Sequence, residues 1–195
     1  MKERQPETVE WDATQNRILD AADTLLLRRG VHGVTIAELA RRSDLSRPTI
    51  YRHWNDADDV VRSALLRRVT SILAEFPAPA TSRTALVDDV LRFSERFQRD
   101  DVYSHLLADE PEAFTRYTLQ RVGSSQRLIL SWLAASIAAA QRGGTVRAGE
   151  PQQIAVMLLL IAQSAVLSHG TVAELIDDAA WTSELIAALD GHLRP

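Results

Sequence analysis

Cysteine is absent from this chain of 195 residues. That excludes disulfides and thiolate metal sites and agrees with a reducing cytoplasm. Lysine is nearly absent too: Lys2 is the only one among 22 basic residues, a bias of the kind a GC-rich genome produces. No long hydrophobic run is present. The longest, Ile154 to Ala162, falls short of the ~20 apolar residues that a bilayer span requires. Residues 1–12 are polar, with no charged-plus-apolar leader. Strand signals and internal repeats are missing, and so are a phosphate loop, a nucleophile–base constellation and any His/Asp/Glu spacing suited to a metal. An enzyme is therefore not expected, and neither is a cofactor. What remains is an ordinary globular composition, 46% hydrophobic and 25% charged, with helical periodicity throughout.

The net charge of -4 does not advertise a nucleic-acid binder. Its distribution does. Between Arg41 and His53 stand Arg41, Arg42, Arg47 and Arg52 against the single acid Asp44. This cluster lies in Thr35–Trp54, TIAELARRSDLSRPTIYRHW, which reads as two short helices and a sharp turn. Thr35 and Glu38 have capping-box spacing. Ile36, Leu39 and Ala40 then fall on one face. Ser43-Asp44 interrupts the pattern and Leu45 is an apolar residue at the turn. Ser46 is placed to cap a second helix carrying Ile50 and Trp54. Pro48 is compatible with that helix because first-turn N–H groups lack intrahelical partners. The result is a helix-turn-helix whose second helix exposes Arg47, Pro48, Thr49, Tyr51, Arg52 and His53.

The remaining chain predicts an all-α protein of about nine helices. Residues 1–12 form a flexible arm carrying Lys2 and Arg4. Residues 13–55 form the DNA-binding domain: its first helix, capped by Asp12 or Thr14 and ended by Gly30, supports the other two through Ile18, Ala21, Ala22 and Leu25. Residues 56–76 are a connecting helix stopped by Pro77-Ala78-Pro79. Residues 77–195 form an effector-binding and dimerisation domain. Helices are predicted there near 82–99, 102–108 and 112–141, the last bent or divided at Gly123. An eighth opens at Pro151 and closes at Gly170, and a ninth, capped by Thr171 and Glu174, runs to Leu193. From Ile154 to Leu167 only Gln163 and Ser164 are polar. A helix apolar all round must be covered all round. Two apolar sides on each of the last two helices therefore predict a homodimer packed through them.

Taken together, Thr35, Ile36-Ala37-Glu38-Leu39-Ala40, the Leu45-Ser46 entry and Thr49-Ile50-Tyr51-Arg52-His53-Trp54 resemble the TetR (tetracycline-repressor) family of transcriptional regulators. The resemblance covers about residues 14–65; Thr145–Pro151 also resembles the family's linker before its eighth helix. It departs from the family pattern in three places. Asp44 stands where the turn usually has Gly, Pro48 where a small residue is common, and Ala57 where a Lys usually meets a phosphate. The resemblance implies a ligand-released repressor that binds a palindromic DNA operator as a cytoplasmic homodimer, with no membrane partner. Thr35, Ser46, Arg47, Pro48, Thr49, Tyr51, Arg52 and His53 are its expected DNA-contacting residues. Phe93, Phe97, His105, Phe114, Tyr117, Trp132, Met157 and Gln163 are candidates to line an apolar pocket for a small apolar or amphipathic effector. The acids Asp56, Asp58 and Asp59 leave one alternative, a helical ligand-binding or protein-interaction module with weak or lost DNA binding.

Overall fold

The computed structural model describes residues 10–119 and 122–195, excluding the side chains of residues 116–119. Helices account for the regular structure, and no strand occurs among the described residues. In order they are α1 (Ala13–Arg29), a 3-10 turn (Val31–Gly33), α2 (Ile36–Ser43), α3 (Arg47–Tyr51), α4 (Ala57–Leu73), α5 (Arg83–Arg99), α6 (Asp101–Asp109), α7 (Pro111–Leu119), α8 (Ser124–Arg142), α9 (Pro151–Val172) and α10 (Asp178–Leu193). The long seventh helix expected from the sequence is two, α7 and α8, with Val122-Gly123 outside both. The arm at residues 1–9, with Lys2 and Arg4, lies outside the described residues.

The chain divides into two compact units, Met1–Ser71 with Arg99–Gln126, and Ile72–Gln98 with Arg127–Pro195. In the first, Ile18, Leu19, Ala22, Leu25 and Leu26 of α1 are buried with Leu39, Ile50 and Val60 of α2, α3 and α4. Asp12 and Gln15 close a capping box at the start of α1, and Gly30 ends it at φ 65°. Helix α6 belongs to this unit. Asp100 caps it by accepting the Val102 and Tyr103 N–H groups at 3.1 Å each. The Tyr103 hydroxyl donates to the Leu65 carbonyl of α4 at 2.7 Å. Arg68 of α4 joins Asp23 of α1 at 3.2 Å to Asp100 at 2.7 Å. Burial alone would lower the Arg68 pKa, but the charges of Asp23 and Asp100 outweigh it and the net shift is upward.

The second unit buries Leu86, Val87, Val90 and Phe93 of α5, Leu130, Leu133 and Ile137 of α8, Ile154 and Leu158 of α9, and Leu185, Leu189 and Leu193 of α10. The Ser136 hydroxyl, fully buried, accepts the Ala80 N–H at 3.2 Å. Arg83 and Arg194 both reach Asp190, at 2.6 and 2.7 Å. The Arg194 hydrogen bond, seconded by Arg83, holds the Asp190 carboxyl below its usual range.

Helix α9 departs from expectation in two ways. It does not stop at Gly170: that residue keeps helical backbone, and the next helix is capped by Asp177, which accepts the Ala180 N–H at 2.8 Å. Thr171 and Glu174 therefore form no N-cap. Second, the whole helix of 22 residues is long and apolar enough to cross a membrane by length and composition. The uninterrupted run read from the sequence missed this because Gln163, Ser164 and Ser168 break the run but hardly lower the average. Its outward side carries Val156, Met157 and Leu160, each at least 40% exposed, and Ile186 of α10 is also 40% exposed. Between the two helices lies an open groove of about 520 Å³ lined by Leu160, Ile161, Ala165, Trp181, Leu185 and Ala188, among others.

Candidate nucleic-acid interface

The helix-turn-helix is fixed from three directions. Thr35 caps α2 by accepting the Glu38 N–H at 3.2 Å. The second half of the expected capping box does not form. Arg41 draws the Glu38 carboxylate to 2.6 Å and Arg29 lies 3.5 Å away, because a cation outcompetes a backbone N–H for it. The Arg41 hydrogen bond holds Glu38 below the usual carboxylate range and raises Arg41 in turn. Asp44 takes the left-handed backbone at φ 53°, ψ 45° that the sharp turn demands, a conformation Asp tolerates better than most residues. Arg17 of α1 then pins the turn, donating to the Ser43 carbonyl at 2.7 Å. Ser46 caps α3 by accepting the Thr49 N–H at 3.3 Å, and the two hydroxyls lie 2.8 Å apart. Pro48 sits in the first turn.

This scaffold buries Ile50 and Trp54 and turns Arg47, Pro48, Tyr51 and Arg52 outward; Thr35 and Ser46 are also exposed. Thr49 and His53 are half-buried. Tyr51 is 56% exposed. The Arg47 and Arg52 guanidinium groups have no ion-pair partner among the described residues. The His53 ring leans on Trp54 with centroids 5.7 Å apart. Of the eight residues picked from the sequence, seven lie on α3 or at its two ends, and Thr35 stands apart at the start of α2.

The start of α4 is the opposite in charge. Asp56 accepts the Asp59 N–H at 2.7 Å. The Asp59 carboxylate takes Asn55 Nδ2 at 2.8 Å and also the Arg62 guanidinium. Arg62, then Asn55, hold Asp59 below its usual range. For Arg62, burial lowers the pKa but the Asp59 hydrogen bond and charge win. Arg62, one turn into α4, is therefore already neutralised. Sequence reasoning missed Arg17, Arg62 and Ser63. The last accepts the Trp54 indole N–H at 2.8 Å. Arg17 and Ser63 carry no local signal because each acts between helices, and Arg62, at i,i+3 from Asp59, has several neighbouring acids to choose from.

The expected effector residues fall in several places. Phe93, Phe97 and Trp132 come together with Phe76. Phe93 is 6.3 Å from Phe97 and 5.5 Å from Trp132, and Phe76 is 5.4 Å from Trp132, all centroid to centroid. Arg92 lies over the Phe76 ring at 5.2 Å. The Trp132 indole N–H is buried and meets no acceptor among the described residues. Phe114 packs edge-on to Tyr103 at 6.1 Å, and His105 pairs with Asp109 at 2.7 Å. Gln163 is half-buried. Met157, 48% exposed, stands on the outward side of α9. The Tyr117 side chain lies outside the described residues.

The family model for bacterial regulatory proteins of the tetR family matches residues 18–64. An uncharacterized HTH-type transcriptional regulator of Mycobacterium bovis is 39% identical over 180 residues, covering 92% of this chain and 94% of that relative. Among solved structures, SmeT, the repressor of the Stenotrophomonas maltophilia multidrug efflux pump SmeDEF, superposes with TM-score 0.66 at 18% identity, covering 94% of this chain and 92% of the other. The R. erythropolis transcriptional repressor QsdR, from the TetR family, does so with TM-score 0.66 at 20% identity, over 95% and 98%. At such identities the two structures speak for the fold alone.

Proposed function

The chain belongs to the TetR family of bacterial regulatory proteins and is a DNA-binding transcriptional regulator; from that premise we propose a homodimeric repressor released from a palindromic operator by a small apolar or amphipathic effector. The observation that carries the reading is the outward display of Arg47, Tyr51 and Arg52 on a capped, buried-backed helix. Arg47 and Thr49 take base or phosphate contacts. Tyr51 and His53 hold phosphates through a hydroxyl and a ring N–H, and Thr35 adds one more at the α2 entry. Phosphate contacts set register and base-edge contacts set sequence.

Dimerisation through α9 and α10 is supported by the exposed Val156, Met157, Leu160 and Ile186 and by the open groove between the helices. A twofold pairing presents two reading helices to half-sites roughly 34–36 Å apart. Effector binding is supported by the ring cluster of Phe76, Phe93, Phe97 and Trp132. Its rings supply an apolar wall, and the Trp132 N–H supplies a donor for a ligand acceptor. The effector acts by population shift, binding better to a dimer whose reading helices are wrongly spaced, with α4 as the transmitting lever. The protein works in the cytoplasm, where its operator is.

Fluorescence anisotropy with labelled DNA from beside its own gene tests the reading. The expected result is tight, sequence-dependent binding that weakens steeply with salt and is lost on Arg47→Ala with Tyr51→Ala. Binding that ignores both sequence and salt would overturn it.

A further inference from the structure

Glu110, between α6 and α7, reaches across the first unit to the end of α1. Its Oε2 accepts the Val31 N–H at 2.9 Å from 79 residues away. Gly30 beside it turns at φ 65°, and a Cβ there would lie 1.3 Å from Glu110 Oε1. The carboxylate thus fills the space that glycine leaves, and Gly30 is required for both its backbone and its missing side chain.

The contact falls at a sensitive point. Val31 opens the 3-10 turn, in which Gly33 and Val34 bond back to Gly30 and Val31 at 3.2 and 3.1 Å. Thr35, one residue on, caps α2. The orientation of α2 and α3 on α1 is therefore set through three residues, and the first of their N–H groups is held by Glu110. Asp100, through Arg68, and Tyr103, through the Leu65 carbonyl, fasten the start of α6 to α1 and α4. Glu110 fastens its far end. The chain enters this unit at Arg99 and leaves it after Gln126, and Glu110 lies within that excursion.

We propose that Glu110 is a positioning residue for DNA binding: its carboxylate locks the α1–α2 connection in the geometry that presents the reading helix, and its withdrawal unlocks it. The proposal rests on the DNA-binding reading and adds to it the means by which residues 99–126 act on α3.

The test uses the full chain with Glu110→Ala and Glu110→Gln. Two things are measured: affinity for a fluorescein-labelled duplex that the wild-type protein selects from a randomised pool, and amide hydrogen exchange over residues 30–36. Loss of a hydrogen bond to a charged group predicts about tenfold weaker binding for Glu110→Ala. The salt slope stays unchanged because no phosphate contact is removed, and exchange at Val31 speeds up. Glu110→Gln, which keeps an acceptor oxygen, stays within about threefold of wild type. Gln141→Ala, which removes a Gln141 side-chain bond to Arg147 in the second unit at 2.9 Å, lowers the melting temperature without weakening DNA binding. Wild-type affinity and exchange in Glu110→Ala would overturn the proposal, as would tighter binding, or an equal loss of affinity in Gln141→Ala. Should Glu110→Ala not fold, Glu110→Asp, one methylene too short to reach Val31, carries the same expectations. If the wild-type protein selects no duplex, the DNA-binding reading fails, and unchanged exchange at Val31 still decides against the lock while faster exchange supports it.

Discussion

Trp54, at the end of the reading helix, donates its indole N–H to the Ser63 hydroxyl of α4 at 2.8 Å. With Trp54 itself buried, this bond anchors the end of the reading segment to the helix that leads out of the first unit. Ser63→Ala leaves a buried donor unpaired, at a cost of about 1–2 kcal/mol. A lower urea midpoint with an unchanged m-value, and weaker operator binding in step, are the expected results. Unchanged stability would mean that the indole finds another acceptor.

The charge balance at the entry to α4 predicts that DNA affinity can be raised. Arg62 is taken by Asp59, and position 57 offers no cation. Ala57→Lys should add one phosphate contact and steepen the slope of log affinity against log salt by about 0.9. Arg47→Ala should reduce the slope by about one if Arg47 meets a phosphate, and should relax sequence preference at one position if it meets a base. Anisotropy titrations at four salt concentrations separate these outcomes.

Leu160 is 48% exposed on α9 and also lines the groove facing α10. A Leu160→Glu variant puts a carboxylate where the proposed partner helix must pack, and burial of an unpaired charge costs several kcal/mol. Sedimentation at micromolar concentration should show a dimer for wild type and a monomer for the variant, with unchanged helical circular dichroism. Operator binding should fall with the dimer. A wild-type monomer would remove the interface.

Burial pushes the Tyr103 hydroxyl far above its ordinary pKa, with the Asp100 charge adding to the shift. A group whose folded-state pKa is raised contributes stability that is present below its unfolded pKa, about 10 for tyrosine, and is lost as pH rises beyond it. Wild type should therefore lose about 1.4 kcal/mol per pH unit above pH 10 from this group alone. Tyr103→Phe, which gives up one hydrogen bond worth about 1 kcal/mol at neutral pH, should show a shallower alkaline decline. Urea unfolding at pH 7, 10 and 11 measures both effects.

Much of the reading helix was legible because its signals are local. Asp44 at a required left-handed position, Ser46 before a proline-bearing first turn, and Thr35 before Glu38 each act within four residues. The failures were also local readings, overruled by a nearby competitor. Glu38 has capping-box spacing, but Arg41 and Arg29 take its carboxylate. Gly170 has the look of a helix stop, but no left-handed turn forms there, and Asp177 supplies the cap further on. The aromatic residues of the later helices carry no address. Phe93, Phe97 and Trp132 meet Phe76, while Phe114 meets Tyr103. Spacing along one helix gives a face, not the identity of what the face meets.

The sequence by itself determined the all-helical class, the capped reading helix with its exposed arginines, and the excess of apolar surface on α9, since periodicity, caps and composition are properties of neighbouring residues. Only the tertiary structure decided that α6 fastens to α1 and α4, that Arg17 pins the turn, that Arg62 is spent on Asp59, and that Glu110 fills the space beside Gly30. Three of these join residues far apart in the chain. The fourth, three residues apart, turns on which of several neighbouring charges a flexible arginine reaches, and packing settles that rather than spacing.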